Sequence, residues 1–98
     1  MKPEGAVVSY EVFLVGNLCV DLVITGVASL PQWGREVAGS WHGVFASGQT
    51  TITALALRRF GVPVSVLGYV GSDGWGRRVV HELAAAGVDT GGIEVVPD

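Results

Sequence analysis

Charge is scarce in this chain. Of its 98 residues 15% are charged, only one is cysteine, and no lysine follows Lys2. A single cysteine has no partner for an internal disulfide. Cys19, set between Leu18 and Val20, reads as a small buried hydrophobe rather than a reactive thiol. The six basic residues are scattered, with Arg58-Arg59 and Arg77-Arg78 as the adjacent pairs, and the net charge is −3. That leaves no basic footprint, so no nucleic-acid partner is expected. Long apolar runs are missing too, because Glu11, Asn17 and Asp21 interrupt the stretches near the N-terminus, and Met1-Lys2-Pro3-Glu4-Gly5 carries one base and one acid. Neither a signal peptide nor a membrane partner is expected, and a reducing cytoplasm is the expected setting. His42 and His81 lack metal-ligand spacing to each other or to Cys19, which argues against a metal site. Gly71, Gly74 and Gly76 lack the G-x-G-x-x-G order, and no G-x-x-x-x-G-K-[ST] occurs.

What the chain has in plenty is apolar side chains. It is 49% hydrophobic, with a mean hydropathy of +0.49. A domain of this size buries only about two-thirds of its unfolded surface, so the surplus points to apolar surface that wants a partner.

The apolar residues fall into alternating elements. Val12-Phe13-Leu14-Val15 has the length and branching of a buried strand, and Gly16-Asn17 breaks it. Leu22 to Val27 and Val37 to Phe45 read as short strands outside the main sheet, separated by the turn-rich Ser29-Leu30-Pro31-Gln32-Trp33-Gly34. From Ser47-Gly48 to Phe60 the spacing predicts a helix with Ile52, Leu55, Ala56 and Phe60 on one stripe and Ala54 and Leu57 opposite, closed by Gly61. A helix apolar on most sides is expected to be covered on most sides. Val62 to Val70 is the next strand. Trp75 to Ala86 reads as an amphipathic surface helix, capped by Ser72 or Asp73 and stopped by Gly87, and Ile93-Glu94-Val95-Val96 begins a last strand. This order predicts an α/β fold, a parallel sheet with right-handed crossovers.

Ligands of open α/β sheets bind beyond the carboxyl ends of the strands. Three loops meet there: Gly16-Asn17 to Asp21, Ala46-Ser47-Gly48 and Gly71-Ser72-Asp73-Gly74. Asp21 stands out because it lies within Leu18-Cys19-Val20-Asp21-Leu22-Val23-Ile24, where a carboxylate needs a hydrogen-bonding partner to offset its desolvation. An aspartate that caps a turn or accepts from local amides is the plainer reading of the same position. Helix starts supply free amides, and glycine lets a ligand approach the backbone. Ser47 at such a start is commonly only a cap, and Asp73 fits a cap better than a ligand. Trp33, Trp41 and Trp75 are first of all packing residues, although Trp41 beside His42-Gly43 is placed to line a ligand.

Five segments in order resemble the ribokinase (PfkB) family of carbohydrate kinases. They are Val15-Gly16-Asn17-Leu18-Cys19-Val20-Asp21-Leu22, Leu30-Pro31-Gln32-Trp33-Gly34, Ser47-Gly48 with a helix ending Arg59-Phe60-Gly61, Leu67 to Gly76, and Leu83-Ala84-Ala85-Ala86-Gly87-Val88-Asp89. The resemblance spans Val12 to Val96 and matches the N-terminal third of such enzymes. It implies a ribokinase-like parallel sheet with helices on both faces, incomplete at the C-terminus, and residues 1–98 as the substrate-side part of one domain. It implies that Asp21 binds sugar hydroxyls, that Asn17 and Ser47-Gly48 lie along the substrate, and that residues 22–45 form a β lid. Two positions depart from the family. Its Gly-Gly pair appears here as Ser47-Gly48, and its sugar-touching asparagine falls on Ile52, with Gln49, Thr50 and Thr51 as nearby polar candidates. An apolar side chain cannot replace amide hydrogen bonds, so a different substrate, a nucleoside included, or a degenerate site is implied. ATP and Mg2+ are implied as well, through a Gly-Ala-Gly-Asp motif and a base aspartate that lie beyond Asp98 in the family; none of Asp21, Asp73, Asp89 and Asp98 stands in such a motif.

The sequence is thus read as the substrate-binding part of an ATP-dependent sugar kinase, with a homo-oligomer expected through the lid strands. Its rivals are a non-catalytic α/β binding or assembly module and the remnant of a kinase gene.

Overall fold

The two helices share one face of a parallel sheet. The computed structural model describes residues 12–97, and the readings of Met1-Lys2-Pro3-Glu4-Gly5 and of Asp98 lie outside them. Along the chain run β1 (Val12–Val15), β2 (Cys19–Thr25), β3 (Trp41–Ser47), α1 (Gln49–Arg59), β4 (Val64–Gly71), α2 (Gly74–Ala85) and β5 (Asp89–Val96). β1, β4 and β5 form a parallel sheet in that order, and β2 pairs antiparallel with β3. Each crossover steps to the next strand in the same direction, and right-handed connections then place both helices on the same side, where they touch each other.

The core lies between that side of the sheet and the helices. Val64, Val66, Val79 and Leu83 are fully buried there, with Val12, Leu14 and Ile93 packed around them. Arg58 ties the far ends together: its guanidinium donates to the carbonyls of Ala86 and Val62 at 3.1 and 3.2 Å. On the opposite side of the sheet Phe13, Val15, Leu67, Tyr69 and Val96 remain exposed. This is where much of the composition's apolar surplus resides.

Several elements differ from their sequence reading. β2 begins at Cys19 rather than Leu22, because Cys19 and Val20 find partners in Ser47 and Ala46, so Asp21 lies within a strand and not in a loop. β3 runs Trp41–Ser47 rather than from Val37, since β2 ends at Thr25 and leaves residues 37–39 unpaired with it. β5 starts at Asp89, four residues before Ile93, through an irregular pairing with β4 between Ser65 and Leu67. α1 is expected to be covered on most sides but is covered on one: Ile52 is 57% and Phe60 84% exposed, and Ala56 is exposed, while Thr50, Thr51 and Ala54 are buried and Leu55 and Leu57 pack partly against the core. Small side chains let this helix approach the sheet closely, which the bulkier stripe would prevent. Cys19 is exposed, not buried, and Trp33, Trp41 and Trp75 are exposed rather than packed in the core.

α2 follows its reading closely. Asp73 is the N-cap, accepting from the Gly76 amide at 2.9 Å, Val79 and Leu83 point inward, and Arg77, Arg78 and His81 face outward. Gly76 is required by close approach, because a Cβ there would collide with the Gly71 carbonyl.

Candidate functional site

The loop after β1 lies against the starts of both helices. Gly48, the N-cap of α1, has φ 93° and ψ 151°, a backbone region open essentially to glycine alone. A Cβ on it would sit 2.6 Å from the Asn17 carbonyl oxygen. Leu18 packs over Gly68 of β4. A cavity of about 400 Å³ beyond the carboxyl end of β4 is lined by Leu18, Val20, Leu22, Asp73 and Trp75 among others. The loop after β1 thus meets each of the other two loops.

Asp21 and Ser47 meet at this junction. In the antiparallel register Asp21 stands across from Phe45, and Cys19 across from Ser47, so Asp21 and Ser47 are diagonal neighbours on one face of the β2–β3 pair. The Ser47 hydroxyl donates to Asp21 Oδ2 at 2.8 Å. Ser47 therefore serves the carboxylate and is not the side-chain cap of α1, which has none. Asp21 itself is exposed. The partner that its sequence surroundings called for exists, yet the carboxylate still looks outward, because the two-stranded pair stands clear of the core on that face.

Of the other candidates, Asn17 and Gln49 are exposed beside Gly48, whereas Thr51 is fully buried. Its hydroxyl has no hydrogen-bond partner among the described residues. The first-turn amides of α1 precede the first intrahelical bond, Ile52 N–H to the Gly48 carbonyl at 2.9 Å, and carry the partial positive charge of a helix start. A carboxylate acceptor and a set of backbone donors thus stand close together, a combination that can hold a molecule through its hydroxyl groups. The same face of β2–β3 also carries Trp41 and Phe45, whose rings lie 6.3 Å apart over Gly43.

Two residues escaped the sequence reading. Glu82 Oε2 accepts from the Ala46 amide at 3.0 Å, and Arg78 donates to the Val44 carbonyl at 3.0 Å, so α2 grips the outer edge of β3. Their spacing of four along a polar helix face reads as a solvated ion pair, and nothing local signals a strand edge beside it.

The parallel sheet, its helix-start junction and the carboxylate-bearing antiparallel pair define a ribokinase-like α/β fold. No protein-family model matches the chain. A ribokinase of Bacillus subtilis (strain 168) is 32% identical over 86 residues, covering 88% of this chain and 29% of its own length. A solved E. coli structure in complex with ATP and Mg2+, provisionally named ribokinase II, superposes with a TM-score of 0.76 at 34% identity, covering 91% of this chain and 28% of that one. Arabidopsis thaliana ribokinase, complexed with ribose and ATP, superposes with a TM-score of 0.81 at 19% identity over 93% of this chain and 30% of that one, a likeness of fold. Over most of its length the chain is similar to carbohydrate kinases of the ribokinase (PfkB) family, and it spans less than a third of the length of these relatives.

Among the described residues no group of three or more His, Cys, Asp or Glu is placed to hold a metal ion, and the glycine loops do not have a phosphate-binding form. These residues supply no fit for ATP with Mg2+. No helix among the described residues is long and apolar enough to cross a membrane.

Proposed function

We propose that this chain forms the substrate-side part of a cytoplasmic, ATP-dependent kinase acting on a hydroxyl of a sugar or sugar-like molecule. The observation that carries the reading is the Ser47-to-Asp21 hydrogen bond of 2.8 Å beside the start of α1. Ser47 occupies Oδ2 and fixes the plane of the carboxylate, and Oδ1 is assigned to a substrate hydroxyl. A hydroxyl donating to a carboxylate makes a charge-assisted bond, stronger than a neutral one. Asn17 and Gln49 flank the molecule, and Gly48 lets it approach the first-turn amides. Thr51, buried in that turn, supports the site from behind rather than by contact. Exposed Ile52 offers an apolar contact where the family has an asparagine, which favours a substrate with fewer hydroxyls on that side; nucleosides belong to that class. The β2–β3 pair acts as the lid, and its strands are the proposed surface for a second copy.

The test is calorimetry on the complete gene product carrying these residues, titrated with ribose, fructose and adenosine. Asp21→Ala is expected to weaken binding of the accepted compound by about 2 kcal/mol or more, the loss of a charge-assisted hydrogen bond, while ATP affinity stays put. Unchanged affinity for that compound removes Asp21 from the site.

A further inference from the structure

An exposed strand edge offers unpaired amides and carbonyls, and proteins cover such edges in various ways. Here the cover is a pair of side chains. The outward groups of β3 alternate along the strand, and two of them are answered from α2: the Ala46 N–H by Glu82 Oε2 and the Val44 carbonyl by Arg78, each at 3.0 Å. The two side chains also bond each other, Arg78 Nε to Glu82 Oε1 at 3.1 Å. The fit is geometric. Residues four apart lie on one face of a helix, about 6 Å apart along its axis, so an i,i+4 pair can reach an acceptor and a donor of neighbouring outward residues on one strand edge. An arginine–glutamate pair on a surface helix contributes little by itself. Joined to a strand in this way, it fixes that strand's position relative to the helix.

The gripped residue Ala46 is the immediate neighbour of Ser47, and Ser47 holds Asp21. We infer that Glu82, braced by Arg78, is a positioning residue for the substrate-binding carboxylate of Asp21: it anchors the β3 edge so that the Ser47 hydroxyl meets Asp21. The inference rests on the proposed sugar-kinase reading. Glu82 touches no reacting atom. It acts through one backbone amide, and the amide's neighbour carries the hydroxyl.

The test uses the complete gene product and the best phosphate acceptor among ribose, fructose and adenosine. Glu82→Ala is expected to raise KM for that acceptor about tenfold, the loss of one charged hydrogen bond, with kcat and KM for ATP little changed. Glu82→Gln keeps an oxygen acceptor for the Ala46 amide and is expected to restore most of the affinity although it gives up the charge. Hydrogen exchange at Ala46 is expected to quicken in Glu82→Ala and to stay slow in Glu82→Gln, and this readout needs no activity. If Glu82→Ala proves too unstable to assay, Arg78→Ala, which frees the Val44 carbonyl and removes the brace on Glu82 but leaves the Ala46 amide its acceptor, is expected to raise KM by a smaller factor. Unaltered KM in both alanine variants, or a loss that glutamine does not rescue, overturns the inference. Turnover insensitive to Asp21→Ala, or no turnover of any acceptor, overturns the proposed function and takes the inference with it. Sensitivity to Asp21→Ala without sensitivity at Glu82 overturns the inference alone.

Discussion

Ser47 donates its hydroxyl to Asp21 over 2.8 Å, although the two residues stand 26 positions apart in the chain. The contact forms because the register of β2 on β3 sets them diagonally on one face. Ser47→Ala removes the donor and leaves the strand intact, so binding of the accepted sugar or nucleoside is expected to weaken by about 1 kcal/mol, roughly fivefold. Titration calorimetry on the complete gene product decides it, and an unchanged affinity shows that Asp21 holds its orientation without the serine.

Gly48 is expected to tolerate no side chain. Its φ of 93° with ψ of 151° costs other residues about 1–3 kcal/mol, and a Cβ would also press on the Asn17 carbonyl. Gly48→Ala should lower the urea midpoint with little change in the slope. A midpoint equal to that of the unaltered protein contradicts the backbone geometry described.

Leu83 is completely buried between α2 and the sheet. Leu83→Ala is expected to destabilise by about 2–5 kcal/mol, through lost transfer energy and the cavity left behind. Thermal unfolding followed by circular dichroism gives the value, and a loss under about 1 kcal/mol would mean that the site collapses freely.

Asp73→Ala removes the cap on the Gly76 amide and is expected to cost about 1 kcal/mol. Asp73→Asn keeps an oxygen acceptor and should recover most of this, as equilibrium unfolding of the two variants will show.

The 98-residue chain on its own is expected to self-associate at micromolar concentration, because Phe13, Val15, Tyr69, Ile52 and Phe60 all show apolar surface to water. Sedimentation velocity is the measurement, and a sharp monomer boundary refutes the expectation.

Much of the fold is legible in the sequence because local signals agree with one another. β1 reads from four consecutive apolar residues ended by Gly16, and α2 reads from Asp73 as its cap, Val79 and Leu83 on one stripe, and Gly87 as its stop. The face of α1 is not legible. Its pattern is apolar nearly all round, so the sheet selects the side by closeness of approach and takes Thr51 and Ala54 over Ile52 and Phe60. The bounds of β2 and β3 depend on pairing between distant segments, which extends one strand back to Cys19 and the other on to Ser47. At the site, position alone marks out Asp21. Its bond to Ser47 and the grip of Glu82 on Ala46 depend on register and helix placement, and no spacing along the chain encodes them.

The elbow at Gly48 and Asn17 has an evolutionary consequence. The contact that seats α1 beside the first loop is made by backbone atoms, so its shape does not depend on which side chains flank it. Under the proposed function, Asn17, Gln49 and Ile52 are expected to accept substitution one at a time on an unmoved frame, so that the molecule bound can change without unfolding the chain. The glycine is the part of this junction that selection must keep fixed; its neighbours are free to explore.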